Sequence, residues 1–196
     1  MDSLYDHIGN TDIYLIDQIM KGRYNQGERI FDAGCREGRN LHWFFQNHFD
    51  IYGVDTDDEA LKLARETYSA STKNFSAQNL EKLDFKSNYF DHTICAAVLH
   101  FAHSTEHFKQ LFAELIRVTK KGGSLFIRMA STIGNPDYFK ALENGRYLLA
   151  DETERFLLTP KLISELQETY TFKFLELVKT TNVQNLRYMT TLVIEK

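Results

Sequence analysis

From residue 28 to residue 130 the chain alternates short apolar runs with longer amphipathic ones, and that alternation narrows the possible folds more than any other feature. The runs "ERIFDAG" (28–34), "DIYGVDTD" (50–57), "NFSAQN" (74–79), "YFDHTICAAVLHF" (89–101) and "SLFIRMA" (124–130) have the length and side chains of strands. Between them, "RNLHWFFQNH" (39–48) places Leu41, Phe44 and Phe45 inward. The stretch after Asp57 carries Ala60, Leu61, Ala64 and Tyr68, and the one after Ser104 carries Phe108, Leu111, Phe112, Leu115 and Ile116, each set at helical spacing. Asp57 and Ser104 are suited to cap those helices, and Lys120-Lys121-Gly122-Gly123 to end the second. Strands alternating with helices imply a parallel sheet covered on both faces. Right-handed crossovers then bring the loop after each strand to one edge, where ligands bind as the strand order reverses.

The two ends of the chain differ from this pattern. Residues 12–21 place Ile13, Ile16, Ile19 and Met20 at helical spacing, with Asn10 or Thr11 as cap. Residues 131–158 have mixed polarity and no period. Thr159-Pro160 then reads as an N-cap with proline at the first helical position, opening "KLISELQETY". Two β-rich runs, 172–181 and 186–196, are separated by Asn182 to Asn185 and predict an antiparallel hairpin.

A length of 196 residues suits one domain with a single core, 1–196, with 1–27 as a helical N-terminal segment. The net charge of −4 argues against non-specific binding to nucleic acid or to an anionic membrane. The longest apolar run, Ile94 to Leu99, is far too short to span a bilayer. The start, "MDSLYDHIGN", is acidic and polar, unlike a secretory signal. Cys35 and Cys95 are the only cysteines and lack metal-type spacing, so a reduced, cytoplasmic setting is expected.

At the carboxyl edge, "FDAGCREGRN" runs from a strand through two glycines into a helix start. Gly34 and Gly38 would let the backbone approach a ligand, and the helix start would favour an anionic group. Asp55 ends the second strand, where a carboxylate can accept hydrogen bonds from a ribose diol. Asn79 follows the third strand, where a side chain can read an adenine edge, and Leu80 can cover the ring face. A glycine-bearing turn, a strand-end acid or an asparagine alone is weak; their order on successive strand–helix units is specific.

These stretches resemble the class I S-adenosylmethionine-dependent methyltransferases, clearly over 28–130 and plausibly to 196. "FDAGCREGRN" is similar to that family's D-x-G-C-G-x-G loop, "GVDTDDEAL" to its acidic second motif, "SAQNLEKLDF" and "FDHTICAAVLHF" to its third and fourth, and "LIRVTKKGGSLFI" to its fifth. The Gly38-Arg39-Asn40 sequence and the small size resemble the tellurite-resistance, TehB-like branch. The resemblance implies a Rossmann-like, doubly wound, seven-stranded α/β sheet, mostly parallel, whose C-terminal hairpin contains the antiparallel last strand. It implies S-adenosyl-L-methionine as cofactor, with Asp32, Gly34, Cys35 and Gly38 around its methionine part. Asp55, with Thr56 beside it, would hold the ribose. Asn79 and Leu80 would meet the adenine, and Ala96 would offer backbone to the amino group.

Arg36 stands where the family has glycine. Either the loop keeps ordinary backbone angles, or strain is held there, at roughly 1–2 kcal/mol for a left-handed residue. Its guanidinium either pairs with the cofactor carboxylate or turns to solvent. His100 ends the fourth strand and is a candidate to orient substrate or accept a proton, or else a packed strand-end histidine. His103 and His107 could share a helix face as metal ligands, but no third acid or cysteine has ligand spacing, and no metal is expected. Residues 131–158 hold Tyr138, Phe139, Tyr147, Phe156 and the acids Asp151, Glu152 and Glu154, which suit a lid over the cleft or an ordinary surface insertion. With no basic face and no second recognition domain, a small-molecule acceptor is expected. Two rivals remain: a non-catalytic binding protein on the same scaffold, and a nicotinamide-dependent reductase, which the absence of G-x-G-x-x-G disfavours.

Overall fold

The computed structural model describes residues 3–135 and 138–196. Strands β1 (Arg29–Ala33), β2 (Asp50–Asp55), β3 (Phe75–Ala77), β4 (Phe90–Ala96) and β5 (Thr119–Ala130) pair in parallel, in the order β5-β4-β1-β2-β3. Helices α3 (His42–Gln46), α4 (Asp58–Thr67) and α5 (Thr105–Val118) lie between them in sequence. Alternate residues along each strand face opposite layers. Ile30, Ile51, Ile94 and Phe126 join the layer of Phe44 and Leu61, whereas Phe31, Cys95, Leu125 and Ile127 join that of Phe108, Phe112 and Leu115. Both faces are therefore buried, as the near-continuous apolar strands require.

The termini complete the sheet. Small N-terminal helices α1 (Leu4–Ile8) and α2 (Ile13–Met20) come before β1. The cap of α2 is Asp12, not Asn10 or Thr11: its carboxylate accepts from the Tyr14 N–H at 3.0 Å. Leu15 and Gln18 form the buried side of α2, while Ile13 and Met20 face solvent. Asp57, Ser104 and Thr159 cap α4, α5 and α6 (Pro160–Thr169) as their sequences indicate.

Beyond β5, three strands too short to show a period, β6 (Lys140–Ala141), β7 (Arg146–Leu148) and β8 (Glu154–Phe156), form a separate antiparallel sheet. The expected strand over 172–181 is split into β9 (Lys173–Phe174) and β10 (Lys179–Val183), each antiparallel to β11 (Arg187–Glu195). Glu176 lies in the break and turns toward α2, accepting from Gln18 Nε2 at 3.0 Å and pairing with Lys21. β11 itself runs antiparallel to β5. The principal order is thus β10-β11-β5-β4-β1-β2-β3, with β9 at the outer side of β11. The strand order reverses between β1 and β4, where a crevice forms.

Candidate active site

The crevice is a cleft of about 540 Å³ lined by residues that follow β1 (Gly34 to Glu37, Arg39, Asn40), β2 (Asp55 to Asp57), β3 (Gln78 to Glu81) and β4 (Ala96 to Val98, Phe101). Of the residues singled out from sequence, Gly34, Cys35, Arg36, Asp55, Thr56, Asn79, Leu80 and Ala96 line it. Asp32, Gly38 and His100 do not. The volume falls within the usual range for small-ligand pockets.

The glycines have reasons other than ligand approach. Gly34 is left-handed (φ +78), and a Cβ there would sit 2.4 Å from Val98 Cγ2. Gly38 (φ +80) would bring a Cβ to 2.6 Å from Tyr68 Cε2, and the Tyr68 hydroxyl donates to the Gly38 carbonyl at 2.8 Å. Both positions are closed by neighbouring side chains, so packing alone requires glycine at each, and Gly38 lies outside the cleft lining. The expected helix start is also weaker than its sequence suggests. A 3₁₀ turn, Arg39–Leu41, comes first, and α3 is only five residues long.

Arg36 settles on one of its two options in each respect. Its φ is +47, so arginine holds the left-handed conformation that glycine would take freely. The loop stays in place because the Arg36 N–H donates to Asp55 Oδ2 at 2.8 Å. The guanidinium turns outward, its side chain 68% exposed and 3.3 Å from Glu37.

Asp55 does more than end its strand. Oδ1 accepts from the Thr56 and Asp57 N–H groups at 2.8 and 3.0 Å, and Oδ2 from Arg36. With three of its roughly four acceptor sites used, the carboxylate has room for a single further donor rather than two. Asn79 Oδ1 accepts from the Glu81 N–H at 3.0 Å, which leaves its amide hydrogens available.

Asp32 is the strongest electrostatic feature of the edge. It is 1% exposed beneath the loop, and neither carboxyl oxygen has a hydrogen-bond partner among the described residues. Burial pushes its carboxyl up to about 7, reinforced by Asp55, although Arg39 and Asn40 lie near enough to oppose the shift. A buried acid without a donor is costly unless a cation or donor comes to it. Burial likewise raises the thiols of Cys35 and Cys95, so both are packed fillers rather than nucleophiles.

The histidines separate into two environments. His103 and His107 line the cleft with rings stacked at 4.7 Å, and the His103 N–H donates to His107 Nδ1 at 3.1 Å. Glu81 Oε1 lies 3.1 Å from His107 Nε2. His100 lies behind the cleft lining, 7% exposed, its buried Nδ1 without a partner among the described residues. Burial first, then the charges of Arg155 and Arg187, bring it down to about 4, so it is neutral at physiological pH. Among the described residues, no three His, Cys, Asp or Glu side chains are grouped to hold a metal ion, and no helix is long and apolar enough to cross a membrane.

Two further lining residues had no sequence signal as site residues. Glu81 and Leu111 reach the cleft from the loop after β3 and from α5, and His107, considered from sequence only as a metal ligand, joins them. Ala97 is left-handed (φ +61), its N–H donating to the Arg128 carbonyl at 2.7 Å, a geometry that alanine does not advertise. The N-terminal segment is tied to the edge: the Asp12 N–H donates to Asn40 Oδ1 at 3.1 Å, Arg128 donates to Asp12 at 3.2 Å, and Tyr14 pairs with Thr181. No described residue of 131–158 lines the cleft, but the Arg155 guanidinium lies 4.8 Å over the ring of Phe101, which does.

Comparison with known proteins agrees with this architecture. A family profile described as a methyltransferase domain matches residues 31–127. Three uncharacterized methyltransferases of Schizosaccharomyces pombe are each 26% identical over 125 residues, spanning 63% of this chain and 86% of theirs. In fold, the chain is similar to a SAM-dependent methyltransferase of Methanosarcina mazei (TM-score 0.72, 19% identity, 91% of this chain and 96% of that one). It is also similar to the magnesium protoporphyrin IX methyltransferase of Synechocystis with bound SAH (0.69, 18%, 97% and 84%). A third likeness is to the 1,6-didemethyltoxoflavin-N1-methyltransferase of Burkholderia thailandensis, which holds 1,6-didemethyltoxoflavin and S-adenosylhomocysteine (0.70, 15%, 91% and 75%).

Proposed function

Since the chain is a class I S-adenosylmethionine-dependent methyltransferase, we propose that its methyl acceptor is a small molecule bound at the Phe101 side of the cleft. The observation that carries this reading is the cleft itself: about 540 Å³, at the switch point, with a partly exposed aromatic ring at its rim. The charge of −4 and the fold likeness to the 1,6-didemethyltoxoflavin-N1-methyltransferase support it. The Gly38-Arg39-Asn40 sequence supports a place near the small TehB-like branch. The continuous main sheet supports a single domain over 1–196, with 131–158 touching the cleft rim through Arg155. Two free, buried cysteines favour a reducing, cytoplasmic setting.

The residues present fit the cofactor. Asp32, buried beneath the loop and outside the cleft lining, places negative charge behind the wall that the methionine part meets, where its field favours an ammonium. Gly34, Cys35 and Arg36 form the wall beside that part, Asp55 offers its open lone pair to the ribose, and Thr56 continues the same wall. Asn79 and Leu80 serve the adenine, and Ala96 offers backbone. When bound, S-adenosylmethionine supplies a methyl carbon already activated by its sulfonium. The chain's own work is therefore to align the acceptor and exclude water. His100, neutral and packed behind the lining, orients the Phe101 turn rather than acting as a strong base.

Calorimetry with S-adenosylhomocysteine and NADH tests the reading: the first is expected to bind and the second not, because among the described residues Asp55 is the one strand-end acid at the glycine-bearing loop. Binding of NADH alone would sink it. Arg36→Gly is expected to leave S-adenosylhomocysteine affinity within ~3-fold, since the guanidinium faces solvent. Its stability should move by less than ~1 kcal/mol, as relief of left-handed strain offsets glycine's entropy. A ~10-fold loss of affinity would instead place the guanidinium on the ligand.

A further inference from the structure

Arg155 is held by two contacts and keeps one edge of its guanidinium open. Its guanidinium stacks over Phe101 at 4.8 Å, and its Nη1 donates to the Glu154 carbonyl at 2.8 Å. Among the described residues no carboxylate comes within ion-pair distance, and Nε and Nη2 donate to nothing. Those two N–H groups form the side-by-side pair that matches the two oxygens of a carboxylate. The neighbouring Arg146 is different, since it is neutralised by Glu154 at 3.0 Å. Arg187 is held only at 3.8 Å by Asp151. Arg155 thus leaves an open guanidinium edge in a cluster with Arg146 and Arg187, whose own partners are Glu154 and Asp151. Phe101 links that cluster to the cleft: its ring is 58% exposed and lines the cavity.

Resting on the methyl-transfer reading, we propose that the acceptor is a carboxylate-bearing molecule with a flat apolar body. Its carboxylate engages the open Nε/Nη2 edge of Arg155, with Arg187 adding charge, and its body lies against Phe101. A preorganised guanidinium loses little freedom on binding, and a planar fork gives orientation as well as affinity. The anion also complements the cationic sulfonium that the neighbouring half of the cleft accommodates.

The full chain is titrated calorimetrically with benzoate, phenylacetate and indole-3-acetate, and with the amide of each, both saturated with S-adenosylhomocysteine and without it. At least one acid is expected to bind with its amide ~10-fold or more weaker, in keeping with a lost charge-assisted pair. Arg155→Gln should weaken that acid ~10-fold, Arg155→Lys less, and Arg187→Gln ~3-fold. S-adenosylhomocysteine affinity should be the same in all of them, which also reports that each variant is folded. Equal binding of acid and amide, no binding of any acid, or an unchanged Arg155→Gln overturns the proposal. Failure of S-adenosylhomocysteine to bind wild-type protein counts against the methyl-transfer reading instead, and acid binding in the unsaturated arm then still reads the anion site.

Discussion

Asp32→Asn is expected to make the protein more stable at pH 8 while weakening S-adenosylhomocysteine binding by ~10-fold, through loss of the buried negative charge behind the proposed methionine wall. The stability gain follows from linkage. Folding raises the Asp32 carboxyl from its ordinary 3.8 to about 7. An acid whose folded value is raised gives its full contribution below the unfolded value. That contribution is lost as pH climbs through the window up to the folded value, and is flat beyond. Between pH 5 and pH 8 the stability difference between variant and wild type should therefore widen by about 2–3 kcal/mol in favour of asparagine. The net gain at pH 8 is smaller, roughly 1–2 kcal/mol, because the new amide hydrogens are buried without acceptors. Denaturant melts at the two pH values check this; a difference that does not change with pH would mean that the carboxyl does not titrate there. The same reasoning predicts that wild-type affinity for S-adenosylhomocysteine rises by ~10-fold from pH 6 to pH 8, as the carboxylate becomes available to a cation.

Asp55→Ala is expected to weaken S-adenosylhomocysteine by ~100-fold, a larger effect than loss of one ribose hydrogen bond would produce. One carboxylate accepts from the backbone of Arg36, Thr56 and Asp57, so removing it frees the loop after β1 as well as the turn into α4. Arg36 is then released from a left-handed conformation that only this hydrogen bond and its neighbours maintain. Asp55→Asn separates the two roles. Its single oxygen retains the Thr56 and Asp57 contacts and loses that of Arg36, so an intermediate loss of ~10-fold is expected. Pairing either variant with Arg36→Gly in a thermodynamic cycle reads the coupling directly: additive losses would show that the loop and the ribose contact are independent.

The sequence by itself determined the layered sheet, because alternating strand and helix periods over 28–130 can bury both kinds of apolar face in only a few ways. It also determined which loops meet at the carboxyl edge, since eight of the named residues line one cleft. Caps at Asp57, Ser104 and Thr159 were legible because the hydrogen bonds that make them are local. What depended on contacts between distant segments was not legible. Gly38 looks like a ligand-facing glycine until Tyr68, thirty residues on, occupies the space of its Cβ. Arg36 is tolerated because Asp55, nineteen residues away, holds its N–H. The three strands in 131–158 are too short to carry a period and form only by pairing with one another. The open edge of Arg155 exists because Phe101, more than fifty residues earlier in the chain, gives its guanidinium a surface to lie on. Local periodicity fixes which elements form, whereas the charge state of Asp32 and the free donors of Arg155 are set by what packing leaves without a partner.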